Sequence, residues 1–81
     1  MTALYVLDVP ENTGIAKLAS RDTTVTVGRI GPYFAITSDA TIVIDREASG
    51  CRHAVWYSAV AGVGDGEIVQ HDKIALRIEP R

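Results

Sequence analysis

The stretch from Gly50 to Ser58, GCRHAVWYS, gathers the chain's single cysteine, its single tryptophan and one of its two histidines beside an arginine and a tyrosine. Histidine titrates near neutrality, so His53 is the candidate general base, and Asp45 and Tyr57 lie close enough in sequence to assist it in moving a proton. Arg46 and Arg52 are the candidate anion contacts. A guanidinium presents a fork of N–H donors that matches a carboxylate or phosphate, and the same fork stabilises negative charge that develops during a reaction. Trp56 and Tyr57 offer apolar faces for a stacked ligand, and serve equally well as core or interface anchors. Plainer roles compete with each of these. Arg46 and Arg52 beside Asp45 and Glu47 also fit surface ion pairs, and a histidine at the edge of an apolar segment also fits structural packing.

Other combinations carry less. Cys51 and His53 share a face only if their segment is a strand, and no third group orients such a dyad, so Cys51 reads as a buried thiol. Cys51, His53, His71 and Asp72 match no recurrent zinc spacing. GVGDG at 62–66 lacks the glycine spacing and the strand-turn-helix setting of a dinucleotide loop, and reads as a plain loop. No metal and no cofactor is expected.

The elements that must position these residues follow from periodicity. Residues 3–9, ALYVLDV, form a β-branched and aliphatic strand that Pro10 ends. Asn12 or Thr13 then caps a short helix whose Ile15, Leu18 and Ala19 recur at spacings of three and four. From Thr23 the period becomes two, with Val25 and Val27 alternating with threonines up to the Gly31-Pro32 break. Tyr33 to Thr37 follows as a strand, Ser38-Asp39 is turn chemistry, and TIVID at 41–45 completes an expected hairpin. EIVQ and KIALRIE flank His71-Asp72 as a second hairpin, with Ile74, Leu76 and Ile78 on one face. Residues 51–61 satisfy both periods. The alanines, with Ser49 as a cap and Gly62 as the residue past the end, favour a helix, whereas the aromatics favour a strand.

Eighty-one residues make one domain, 1–81, that buries only about 60 to 65 per cent of its unfolded surface. A core this small, with no disulfide available, is expected to gain stability by self-association, most simply as a homodimer. A lone cysteine and an N-terminus without a basic leader region point to a reducing, cytoplasmic setting. The net charge of −2 with interspersed signs carries no basic patch for nucleic acid. No uncharged stretch approaches the length needed to cross a membrane as a helix.

The sequence therefore predicts an α+β domain, with an antiparallel sheet of five to six strands and one or two short helices on one face. A small all-β barrel is the alternative if 51–61 is extended. The expected function is that of a homo-oligomeric binding or accessory protein, with an anionic or aromatic ligand or a partner subunit docked around residues 45–57. A cofactor-independent isomerase or lyase using His53 is the enzymatic alternative, and an assembly subunit without a pocket is the third.

Overall fold

In the computed structural model, which describes the backbone of residues 1–81 and every side chain except those of His53 and Val60, the apolar N-terminal run becomes strand β1 (Thr2–Leu7). Leu4 and Val6 point into the core, while Ala3 and Tyr5 on the alternate face are also largely covered, so the run is apolar on both sides for a reason. A 3-10 turn at Pro10–Asn12 leads into helix α1 (Thr13–Ser20), which buries Ile15, Ala16 and Ala19. Asn12 occupies the position before the helix, but its side-chain amide donates to the Leu7 carbonyl at 2.9 Å instead of capping it.

The fold is mixed α+β, with seven strands in two antiparallel sheets and three short helices, and neither sheet closes into a barrel. The first sheet is ordered β2 (Val25–Ile30), β3 (Tyr33–Ser38), β1 and β5 (Val63–Asp65). The second is ordered β4 (Ile42–Asp45), β7 (Ala75–Glu79) and β6 (Glu67–His71). Leu4, Val6 and Ile36 from the first sheet meet Ile42, Ile44, Leu76 and Ile78 from the second, and Ile15, Ala19 and Trp56 join the same cluster. Each fully buried aliphatic side chain contributes about 1.5 to 3 kcal/mol from area removed from water.

The expected β6–β7 hairpin forms across the His71-Asp72 region, and β2 and β3 pair as a hairpin across Gly31-Pro32, which the sequence marked only as a break between strands. The expected β3–β4 hairpin does not form. Strand β3 is paired on both edges, by β1 and β2, so it has no free edge for β4, which pairs with β7 in the other sheet. At the crossing, Ser38 Oγ donates to the Thr24 carbonyl and accepts from the Ala40 amide, while the buried Thr2 hydroxyl donates to the Ser38 carbonyl. Turn chemistry is present there, but it redirects the chain between sheets.

The ambiguous segment is helical. Helix α2 (Arg46–Ser49) ends at Gly50, whose φ of 71° is the left-handed conformation that glycine adopts cheaply. Helix α3 (His53–Ser58) continues into a 3-10 turn at Ala59–Gly62. Arg52, not Ser49, stands at the N-cap of α3, and Ser49 Oγ instead donates to the Arg46 carbonyl. Gly62 has no positive φ, contrary to its expected role past the helix end. Its role is proximity, because a Cβ there would overlap the Tyr5 carbonyl. The 62–66 stretch is also more than a loop. It pairs with β1 as β5, and Gly66, with φ of 108°, then passes the chain to the second sheet. No helix of the described residues is long and apolar enough to cross a membrane.

Candidate functional site

The residues singled out between 45 and 57 fall into separate surroundings. Asp45 caps α2, its carboxylate accepting from the Ala48 amide at 2.9 Å. Arg52 is exposed at the start of α3. Trp56 is 0 % exposed, so its indole offers no face to a ligand and takes the core role among the alternatives weighed for it. Its Nε1 donates to the Asp72 carbonyl at 2.6 Å. Tyr57 sits on the surface and meets His71 edge-on, with ring centroids 5.2 Å apart. His71 Nε2 lies 3.4 Å from the Trp56 carbonyl, which accepts when that nitrogen carries the proton. The proton-transfer reading centres on His53, whose side chain lies outside the described residues.

Asp72 organises the β6–β7 turn that receives Trp56. Its carboxylate accepts from the Ala75 amide at 3.0 Å and the Ile74 amide at 2.8 Å, and from the Gln70 side-chain amide. Those donors, Ala75 first, then Ile74 and Gln70, hold its carboxyl below the ordinary aspartate value. Among the described residues no group of three or more histidine, cysteine, aspartate or glutamate side chains converges as a metal site.

The structure adds a surface that periodicity alone did not single out. On the outer face of the first sheet the register aligns Ile30 with Tyr33 and Tyr33 with Leu7, and these three side chains are 59 %, 41 % and 46 % exposed. Next to them Tyr5 stands opposite Ala35 and lies over Gly64, where a Cβ would come within 2.5 Å of the ring. The turn at Ala59–Gly62 rises beside this row. Between them is a cleft of 330 Å³ lined by Tyr5, Leu7, Asn12, Tyr33, Ser58 and Ala59 among others. It adjoins a second hollow of 450 Å³ that shares Tyr5, Tyr33, Ala61 and Gly62 with it and reaches Ile30 and Val63. The available signal was the alternation of Ala3, Tyr5 and Leu7, a second apolar face on a strand whose first face already fills the core.

A separate cleft of 330 Å³ lies where α2 meets the start of β7, lined by Arg46, Glu47, Gly50, Cys51 and Lys73. The backbone N–H of Arg46 donates to the Ile74 carbonyl at 2.9 Å, and its Nη1 donates to the Lys73 carbonyl at 3.3 Å. Its Nε is buried, and no acceptor among the described residues reaches it. A buried donor in that condition costs about 1 to 3 kcal/mol. Arg46, singled out from sequence, is thus brought together with Lys73 and not with Arg52. Cys51 is a free, buried thiol whose Sγ lies 3.7 Å from the Glu11 carbonyl.

No protein-family model matches the chain, and no curated protein matches its sequence.

Proposed function

We propose that this chain is a small binding or accessory module that works through the tyrosine cleft, and that an aromatic or otherwise apolar small molecule is what the cleft takes. The observation that carries this is the pairing of Tyr5 and Tyr33 on one sheet face with a wall at Ser58–Gly62, enclosing 330 Å³. That volume is at the lower end of the range of small-molecule sites, which are concave, mostly apolar and furnished with a few polar atoms. The tyrosine hydroxyls and the polar side chains of Asn12 and Ser58 supply such atoms here. The same exposed row of Ile30, Tyr33 and Leu7 suits burial against a second copy, which would extend the cleft with residues from both chains. A reducing, cytoplasmic setting goes with this reading, since the one thiol is unpaired.

The test is a titration with indole and phenol followed by amide ¹H–¹⁵N shifts, with the mass measured by light scattering on the same sample. Binding is expected to move Gly62 and Gly64 saturably, and Tyr33→Ala is expected to weaken it by about tenfold, the loss of one aromatic contact of about 1.4 kcal/mol. A doubled mass that Tyr33→Ala halves would assign the face to self-association. Shifts that avoid Gly62 and Gly64, or an affinity unchanged in Tyr33→Ala, would sink the cleft as the binding site.

A further inference from the structure

The cleft between α2 and β7 lies apart from the tyrosine cleft and carries an argument of its own. It brings two cationic side chains, Arg46 and Lys73, to one hollow with a single carboxylate, Glu47. Lys73 is exposed and comes from a segment 27 residues further along the chain, so the fold assembles the pair. The guanidinium of Arg46 is half spent. Nη1 is committed to the Lys73 carbonyl through a long 3.3 Å bond, whereas Nε has no acceptor among the described residues. A guanidinium binds a carboxylate best through two parallel N–H bonds, and the edge that includes Nε is one of its forks.

We propose that this cleft is a binding site for a small monocarboxylate. The ligand's two oxygens accept from the Nε and Nη2 edge of Arg46, and the Lys73 ammonium stands over the same anion. Nε reaches the ligand when the guanidinium turns within the cleft, a motion that the long Nη1 bond opposes only weakly. The charge balance selects the class of anion. Two cations and one carboxylate leave the cleft with one net positive charge, which suits a singly charged carboxylate. For a phosphate dianion the attraction to that single net charge doubles, but the cost of leaving water rises about fourfold, so the singly charged carboxylate keeps more of its gain. The site needs neither Tyr5 nor Tyr33, so it stands or falls separately from the tyrosine cleft.

The experiment uses the full chain and three salts at matched ionic strength: sodium acetate, inorganic phosphate and sodium chloride. The readout is the Arg46 Nε–Hε resonance together with the Gly50 and Cys51 amides. Acetate is expected to move all three saturably, with a dissociation constant in about the millimolar range typical of one partly exposed charge-assisted contact. Phosphate is expected to bind several-fold more weakly, and chloride to leave the Nε–Hε signal in place. Lys73→Ala should weaken acetate by about five- to tenfold through loss of one nearby charge. Glu47→Gln should tighten phosphate more than acetate. Both positions are exposed, so the fold tolerates both changes. An Nε–Hε signal that acetate does not move, or that chloride moves equally, would overturn the site. An acetate affinity unchanged in Lys73→Ala would overturn it as well, and phosphate binding more tightly than acetate would overturn the assignment to monocarboxylates.

Discussion

Replacing Trp56 by Phe tests the tie between α3 and the second sheet. The indole is fully buried, and its Nε1 bond to the Asp72 carbonyl is the one polar link it makes. Phenylalanine keeps an aromatic ring but removes about three ring atoms, worth about 2 kcal/mol at roughly 0.8 kcal/mol for each buried carbon, before any cavity cost. It also removes the bond to the carbonyl, a further loss of about 1 kcal/mol for a partly buried neutral pair. The expected destabilisation is therefore about 3 kcal/mol. A domain of 81 residues has roughly 4 to 12 kcal/mol in total, so the variant should fold but melt far earlier. At roughly 4 to 8 °C per kcal/mol for a domain of this size, Tm should fall by about 12 to 24 °C. Thermal unfolding followed by far-ultraviolet circular dichroism measures this without relying on tryptophan emission. A fall of less than about 5 °C would refute the reasoning, because the indole and its bond would then contribute less than about 1 kcal/mol.

Two glycines should respond in opposite directions to the same change. Gly28→Ala meets no atom within 4 Å and should raise stability by about 0.5 to 1 kcal/mol, whereas Gly14→Ala, although helix-favouring, overlaps the Ser49 carbonyl and should lower it by about 1 to 3 kcal/mol. Matched thermal melts compare them, and a stabilised Gly14→Ala would mean that α1 and α2 are not in close contact. Acid should loosen the β6–β7 turn through Asp72. The folded carboxyl titrates below its ordinary value of 3.8, so its stabilising contribution is complete above that value and is lost as pH falls through the lower folded one. A red shift of Trp56 emission is accordingly expected only below about pH 4, and Asp72→Ala should remove that step. A step centred near pH 6 would point to a histidine instead.

Much of the fold was legible because period and turn chemistry are local. Val25 and Val27, Ile42 and Ile44, and Leu76 and Ile78 all lie on the faces that their alternation indicated, the valines partly buried and the other four fully buried. The α+β class followed from these strands and from the 3.6-residue spacing in α1. The number of sheets was not legible. Whether β4 joins β3 or β7 depends on which strand edges are already occupied, a property of the assembled sheet that Ser38-Asp39 does not encode. The length of the helix within 51–61 was also hidden: α3 stops at Ser58 and passes into a 3-10 turn whose Gly62 lies too close to the Tyr5 backbone, 57 positions earlier in the chain, to leave room for a Cβ.

The candidate site was legible in its parts but not in its grouping, and the reason is geometric. Proximity in sequence suggests a common pocket only where one element carries all the residues, and 45–57 is two short helices with a left-handed glycine between them. Gly50 turns the chain so that Arg46 stays with the end of β4 and the start of β7, while α3 carries Trp56 inward and Tyr57 onto His71. The neighbours that complete each environment come from elsewhere: Lys73 for Arg46, Asp72 for Trp56, and Tyr5 and Tyr33 for the wall that Ser58 and Ala59 begin. The small core explains why both clefts lie where they do. Trp56 and the aliphatic residues of two sheets fill the interior, so space for a ligand opens at the surface, and these two clefts lie where a helix meets a sheet edge and where a turn rises beside an outer sheet face.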